Sequence, residues 1–416
     1  MISLNVTVTP SALSGKVNIP SSKSEGHRLL MAAAFSDGES RLYGMSHSED
    51  IDATIGCMRR MGAEIIEENG VMTVKGIAAK ENCLIGKSLG FDCRESGSTL
   101  RFLIPAAAVL SDGARFEAKG RLPKRPQKPY EEIFQALGGE FLQDDGGLTL
   151  KGNLSPAVYK LRGDTSSQFF TGLMYALPLL SGKSEIISTT ALESSAYIDM
   201  TISAMQRAGV EVKTIDNGHW LIEGNQGYRP FEKTVEGDWS QAAFWLSLNF
   251  IGANLEIIGL SADSLQGDRA IADMTEKMKA DCDVTIDLSE CPDLLPPAAA
   301  SAALRKKGSV THFVGARRLR IKESDRIASV NAALAAMGAE TIEGEDFLTI
   351  FGAGKLKGGC VIDSANDHRI AMMAAIATAG CEEPVTITGA ECVKKSYPDF
   401  WEVYKSVGGI IAVEGV

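Results

Sequence analysis

One motif recurs along the chain: an amphipathic helix that stops at a small residue, then a short strand, a tight turn and a second strand. It reads CMRRMGAEIIEENGVMTVKG with Gly62 after the helix, FQALGGEFLQDDGGLTLKG with Gly138, and AMQRAGVEVKTIDNGHWLIEG with Gly209. It returns as ALAAMGAETIEGEDFLTIFG with Gly338 and VYKSVGGIIAVEG with Gly408. A degraded copy between them, KMKADCDVTI, carries Asp281 where the glycine would stand. Glycine suits that place because helices commonly end through a left-handed residue, which costs glycine nothing sterically. Asn-Gly or Gly-Gly at 69–70, 146–147 and 217–218 then marks the hairpins. A glycine after a helix is common and explains any single copy, but not a series at near-even spacing. The copies lie about 70 residues apart, too far for a solenoid repeat of about 20–50 residues. They read instead as six α/β units, divided three and three between two domains.

The junction falls near YRPFEKTVEGDWS (228–240), between the third and fourth units. A strand expected around residues 3–9 completes the other domain. The chain then crosses twice, near 18–20 and 236–240, so residues 1–19 plus 237–416 form one domain and 20–236 the other. A junction crossed twice is a natural hinge.

Composition narrows the function. The chain has 416 residues, with 42 Lys and Arg against 53 Asp and Glu, a net charge of −11. That sign argues against nucleic-acid or anionic-membrane binding, and it makes local clusters of cations informative. No apolar run approaches the roughly 18 residues of a membrane-spanning helix. The start, MISLNVTVTP, lacks the features of a secretory signal, so a cytoplasmic protein is expected. The eight cysteines contain no C-x-x-C pair and, with five histidines, offer no zinc spacing. They are expected to be reduced and mostly buried. Gly86-Lys87-Ser88 and Gly182-Lys183-Ser184 lack the leading glycine of a phosphate-binding P-loop, with Glu81 and Leu177 in its place.

Three helix starts in the first half share one chemistry. IPSSKSEGHRLLMAAAF (19–35) places Lys23, Ser24 and Arg28 at a helix N-terminus, where free N–H groups and the dipole favour an anion. CRESGSTLRFLIPAAAVL (93–110) runs from Ser96-Gly97-Ser98-Thr99 into an apolar helix bearing Arg101. Small residues there let a carboxylate or phosphate approach the backbone, and arginine supplies a planar fork. RGDTSSQFFTGLMYALPLL (162–180) repeats the idea with Ser166, Ser167 and Gln168, and RLPKRPQKPY adds Arg121, Lys124 and Arg125. Together they suggest one site for a multiply anionic small molecule. The second half adds Asp293 at a helix start, Glu323 and Asp325 in RRLRIKESDRIA, Asp367, His368 and Arg369 in NDHRIAMMAA, and Lys395 in CVKKSYPDFW. A solvated, salt-bridged surface explains each alone. Acid–base groups among cations, on elements of both domains, describe a cleft that closes on its substrates.

The ordered set SKSEGHR, ESGSTLR, Arg-Pro after a basic run, SSQF, SSAYID, KESDR, NDHR and KKSYPD resembles the 5-enolpyruvylshikimate-3-phosphate synthase family of enolpyruvyl transferases. The resemblance spans residue 3 to roughly residue 404. It implies an α/β fold of two domains, each of three βαβαββ-type units, an inside-out α/β barrel with the substrate cleft between domains. It implies transfer of the enolpyruvyl group of phosphoenolpyruvate to the 5-hydroxyl of shikimate 3-phosphate by addition and elimination, without cofactor or metal. Shikimate 3-phosphate would be held by Lys23, Ser24, Arg28, Ser166, Ser167, Gln168, Ser194, Tyr197, Asp293 and Lys322. Phosphoenolpyruvate would be held by Lys23, Gly97, Arg101, Arg125, Gln168, Arg326, Arg369 and Lys395. Asp293 is expected to act as base toward the 5-hydroxyl, with Lys23 and Glu323 moving the C3 protons and His368 hydrogen-bonding Glu323. Inhibition by glyphosate and a monomeric state are further expectations, with no nucleic-acid or membrane partner.

The chain departs from the family's pattern at Gly26, where a hydroxyl residue is usual, at Glu95, usually asparagine, at Phe102, often proline, and at Arg318, an asparagine in some members. Two other readings stay open. A UDP-N-acetylglucosamine enolpyruvyl transferase shares fold and donor, but typically has asparagine after the first lysine and a cysteine in the donor loop. Here Ser24 follows Lys23, and the 111–127 loop has no cysteine. The third reading is a metabolite-binding relative without catalysis.

Overall fold

The computed structural model describes residues 4–79 and 84–415, with no side-chain account of 84–87. The chain divides into two compact units, Ser21–Glu236 and, around it, the residues up to Pro20 with those from Gly237 on.

In the Ser21–Glu236 unit the helices are α1 (Lys23–Phe35), α2 (Glu49–Met61), α3 (Gly97–Leu110), α4 (Lys128–Ala136), α5 (Ser167–Ala176) and α6 (Ser195–Arg207). Its sheets share one plan. In the sheet of Leu84–Asp92, Ser111–Glu117, Gly147–Lys151 and Glu140–Asp144, the first two strands are parallel and the hairpin pairs antiparallel. Val158–Leu161, Ser184–Ser188, His219–Ile222 and Lys213–Asp216 repeat that order. The third sheet takes its first strand from the far end of the unit: Glu232–Thr234 lies parallel to Glu39–Tyr43, beside the hairpin Glu64–Glu68 and Val71–Lys75.

Hydrophobic patterning sorts the helices. α1, α3 and α5 are buried along nearly their whole length, as helices apolar on every side must be, whereas α2, α4 and α6 bury one face. The buried helices thus occupy the middle of the unit. Their first turns are where polar groups can converge.

The other unit contains α7 (Trp239–Ile251), α8 (Ile271–Met278), α9 (Leu295–Ala303), α10 (Arg326–Ala336), α11 (His368–Thr378) and α12 (Phe400–Ser406). Here α7, α9 and α11 are the buried set and pack on one another. Val284–Asp287, Val310–Val314, Leu348–Phe351 and Glu340–Glu343 form one complete sheet. Val361–Asp363, Val385–Thr388, Leu4–Thr9 and Ile410–Gly415 form another, closed by the chain's first described strand. Ser14–Asn18 pairs in parallel with Asn254–Ile258 as a two-stranded sheet.

That small sheet corrects one sequence expectation. The degraded copy at 277–286 has its helix, α8, but no hairpin follows, and Val284–Asp287 opens the next sheet beside Val310–Val314. The stretch 268–307 contains no glycine, so neither a left-handed helix end nor a tight glycine turn is offered there. The five helix-end glycines of the intact copies do adopt left-handed backbone, with φ between +75° and +119°.

Cys57, Cys93, Cys291, Cys381 and Cys392 are buried and free, Cys282 is exposed and free, and Cys83 lies outside the described residues. Among the described residues no helix is long and apolar enough to cross a membrane.

One surface contact carries a pH prediction. His47, just before α2, points Nδ1 at Asp52 Oδ1 over 2.6 Å and Nε2 at Glu67. Its hydrogen bond to Glu67, then that to Asp52, raises its pKa above the ordinary value despite some burial. A raised folded-state pKa means the contact stabilises fully below about pH 6.5 and is lost as the pH rises through the raised value. His47→Ala is therefore expected to lower the urea midpoint at about pH 6 and to leave it unchanged near pH 9. An equal loss at both pH values would show that the charge on His47 contributes nothing.

Candidate active site

In the Ser21–Glu236 unit the polar groups gather at the first turns of the buried helices. Ser22 caps α1, accepting the Glu25 N–H at 3.3 Å, and Lys23 follows as the first helical residue. Lys23 Nζ lies 2.8 Å from Asp50 Oδ2 in the first turn of α2. Arg28, one turn further along α1, is 2% exposed. Its Nη1 donates to the Ser24 carbonyl at 2.8 Å, and its Nε to Thr201 Oγ1 at 2.9 Å and to the Tyr197 carbonyl. Phe102 and Tyr197 present their rings to the guanidinium at 5.3 Å and 5.6 Å. Burial pulls Arg28 down to about 10, yet it stays a cation at neutral pH.

Ser96 caps α3 with its side chain and leaves Gly97 as the opening residue. A Cβ on Gly97 would come within 2.9 Å of Arg125 Nη1, so only glycine lets that guanidinium lie against the helix start. Of the basic run, Arg121 and Lys124 are exposed and Arg125 is buried. Arg101 donates to Gln168 Oε1 at 2.8 Å and to Gln127 Oε1 at 3.2 Å, beneath the ring of Phe169. Gln168 in turn donates to Ser98 at 2.9 Å. Ser166 caps α5, Ser167 is buried beside it, and Ser194 stands before α6 with a left-handed φ of +58°. Left-handed backbone at a non-glycine residue costs energy and is concentrated at functional sites. The structure therefore brings together Lys23 with Asp50, Ser24 with Arg28 and Tyr197, Gly97 with Arg125, and Arg101 with Gln168.

The other unit has its own cluster, centred on Arg326 at the start of α10. This side chain is 1% exposed and meets three carboxylates: Asp367 at 2.7 Å through Nε, Asp293 at 2.7 Å through Nη1, and Glu323 through Nη2. Burial works against its charge, but Asp367, Glu323 and Asp293 outweigh it and hold the pKa above the ordinary arginine value. Asp293, in the turn Pro292–Leu294, also meets Lys322 at 3.3 Å and Arg369 at 3.2 Å. Burial lowers the pKa of Lys322, with Asp293 opposing. Asp367 caps α11, accepting the Arg369 N–H at 3.0 Å, and accepts Ser324 Oγ as well. His368 is buried at the same helix start, Nδ1 3.9 Å from Asp367, and Lys395 donates to the Asn366 carbonyl at 2.8 Å. Of the two acids in KESDR, Glu323 belongs to this cluster. Asp325 caps α10 and pairs with Arg320 instead.

Sequence reading missed Asp50 and Gln127, and gave Asp367 no role. Asp50 sits among Glu49 and Asp52 in a first turn, where acids are explained by the helix dipole alone. The departures find physical places. A Cβ at Gly26 would meet Met45 Sδ at 2.9 Å and Ile51 at 3.1 Å, so those side chains fill the space of the usual hydroxyl. The Glu95 carboxylate lies over Gly120, where an added Cβ would come within 2.4 Å of Oε2. Phe102 is the ring under Arg28, and Arg318 donates to the Ser289 carbonyl, bracing the segment that leads to Asp293.

The structure is similar to an EPSP synthase from Acinetobacter baumannii, with a TM-score of 0.81 and 25% identity over 99% of this chain and 100% of that one. It also resembles, in fold, the enolpyruvyl transferase NikO from Streptomyces tendae, with a TM-score of 0.76 and 17% identity over 100% and 99% of the two chains. The family model of EPSP synthase (3-phosphoshikimate 1-carboxyvinyltransferase) matches residues 8–404. The chain is 44% identical to the 3-phosphoshikimate 1-carboxyvinyltransferase of Clostridium kluyveri and 40% identical to that of Clostridioides difficile, each over 98% of both chains. The chain belongs to the EPSP synthase family.

Proposed function

We propose that the two clusters bind shikimate 3-phosphate and phosphoenolpyruvate and transfer the enolpyruvyl group between them. One observation carries this reading most directly. In a chain of net charge −11, Arg28, Arg101, Arg125, Arg326, Arg369 and Lys395 are each at least nine-tenths buried at or beside a helix start. Cations gathered at buried helix starts are placed to meet anions, and the two substrates bring two phosphates and two carboxylates.

The acceptor is held by Ser24, Arg28, Ser166, Ser167, Ser194, Tyr197, Asp293 and Lys322, and the donor by Gly97, Arg101, Arg125, Arg326, Arg369 and Lys395. Lys23 and Gln168 serve both. Asp293 takes the proton from the 5-hydroxyl as that oxygen attacks C2 of phosphoenolpyruvate, and C3 gains a proton from Lys23 or Glu323. The tetrahedral ketal phosphate then gives a C3 proton back to that same group and expels phosphate, giving 5-enolpyruvylshikimate 3-phosphate. Lys322, Arg326 and Arg369 all lie against the Asp293 carboxylate. Anionic substrate groups would compete with Asp293 for the same guanidinium hydrogens. The expected hydrogen bond from His368 to Glu323 is not made: neither ring nitrogen bonds that carboxylate, and Nδ1 lies 3.9 Å from Asp367 instead.

The same reading places a monomeric enzyme in the cytoplasm, inhibited by glyphosate at the donor subsite. Purified protein is expected to release phosphate from phosphoenolpyruvate with shikimate 3-phosphate, and not with UDP-N-acetylglucosamine. Release only with the sugar nucleotide would reassign the acceptor. No release with either, from folded protein, would favour a binding protein.

A further inference from the structure

A buried line of hydroxyls runs behind the helix starts of the Ser21–Glu236 unit. His27 Nδ1 lies 2.7 Å from Thr54 Oγ1, and Thr54 Oγ1 lies 2.7 Å from Thr99 Oγ1. Thr99 Oγ1 donates to Ser96 Oγ, again over 2.7 Å. None of the four residues is more than 1% exposed. They stand on α1, on α2 and at the start of α3. Those helices also carry Lys23 and Arg28, Asp50, and Gly97.

The protons in this line have one consistent direction. Ser96 Oγ receives the Thr99 hydroxyl and also the Thr99 backbone N–H at 3.3 Å. The single hydroxyl proton of Thr99 is thereby used. Its contact with Thr54 is then a hydrogen bond only if Thr54 donates. With the Thr54 proton used in turn, the contact to His27 needs a proton on Nδ1. Burial, reinforced by Lys23 and Arg28, holds His27 well below its ordinary pKa, so the ring is neutral and Nε2 carries no proton. Nε2 is buried without a protein hydrogen-bond partner, and the Phe102 ring stands perpendicular to the imidazole at 6.4 Å.

We infer that His27 is a positioning residue: as the Nδ1–H tautomer it supplies the proton that orients Thr54, Thr99 and Ser96, and so fixes the turn in which Gly97 receives Arg125. This rests on the reading of the Gly97 turn as part of the phosphoenolpyruvate subsite. Without the imidazole proton Thr54 is left as an unfilled buried acceptor, and its hydroxyl, which already donates weakly to the Asp50 carbonyl at 3.4 Å, is free to turn fully to it and away from Thr99. The cap of α3 then loses its single arrangement.

Two measurements on the full chain test it. ¹⁵N chemical shifts of His27 at neutral pH are expected to show a protonated Nδ1 and a bare Nε2, and the opposite tautomer would overturn the inference. In steady-state kinetics His27→Leu is expected to raise KM for phosphoenolpyruvate about tenfold, with KM for shikimate 3-phosphate and kcat within about twofold. His27→Asn, whose amide N–H can stand where Nδ1–H stood, is expected to restore the wild-type KM. A role in packing alone would lower the melting temperature of the leucine variant and leave KM unmoved. Gly97→Ala separates the two ideas, because its Cβ displaces Arg125 directly. If Gly97→Ala raises KM and His27→Leu does not, the positioning role is wrong and the subsite stands. If neither moves KM, both fall.

Discussion

Changing Asp293, the base proposed above, to asparagine is expected to cut turnover at saturating substrates by about 10²–10⁴-fold, the usual cost of removing such a group. The fold should tolerate the change. Asp293 sits in a short turn that opens α9, stiffened by Pro292, Pro296 and Pro297 and braced through Ser289 by Arg318. Asparagine keeps the shape and one carbonyl acceptor toward Arg326, which retains Glu323 and Asp367 as partners. The melting temperature should fall moderately, because Lys322 and Arg369 lose the charge of the carboxylate they meet, while the proton of the 5-hydroxyl loses its destination. Phosphate release at saturating concentrations of both substrates, read beside a thermal melt, checks this. Full turnover by Asp293→Asn would move the base elsewhere in the cluster, with Glu323 the next carboxylate on Arg326.

The parts of this molecule that were legible beforehand are those where chemistry is local in sequence. A helix that must end, turn and return as a strand calls for a left-handed residue, and glycine marks it at 62, 138, 209, 338 and 408. Ser22, Ser96 and Ser166 cap buried helices in motifs whose capping chemistry is visible within a few residues. The small residue at 97 could be read as close backbone approach, though not that Arg125 is what approaches. What stayed hidden depends on distant pairing. The partner of Lys23 is Asp50, on another helix, behind acids that the helix dipole already explains. Thr54 and Thr99 are ordinary helical threonines until α2 and α3 pack and bring their hydroxyls to 2.7 Å. The missing hairpin after α8 left a compositional trace, a long stretch without glycine, but its strand-like VTI belonged to the next sheet. In KESDR, alternation alone could not say which acid faces the cluster. Helix capping took Asp325 and left Glu323 for Arg326.

Arg326→Ala should have the largest effect on stability. The guanidinium is almost fully buried and answers Asp293, Glu323 and Asp367, the last of which is itself 0% exposed. Removing one partner of a buried ion pair leaves an uncompensated charge, at a cost of about 3–5 kcal/mol. For a unit of this size that corresponds to a fall in melting temperature of very roughly 10 °C. Asp367 is the residue most affected, because it is fully buried, caps α11 and accepts from Ser324, so any movement of its carboxylate weakens both contacts. Lysine is a poor substitute, since one ammonium cannot reach three carboxylates with the directed hydrogens of a guanidinium. The double variant Arg326→Met with Asp367→Asn separates stability from function. It removes the guanidinium and its most buried carboxylate partner together, so much of the lost stability should return, as it does when buried ion pairs are replaced by packed neutral groups. Activity should not return, because the donor's carboxylate and phosphate still lack the cation assigned to them. A double variant that regained turnover along with melting temperature would show that Arg326 holds the unit together and takes no part in binding phosphoenolpyruvate.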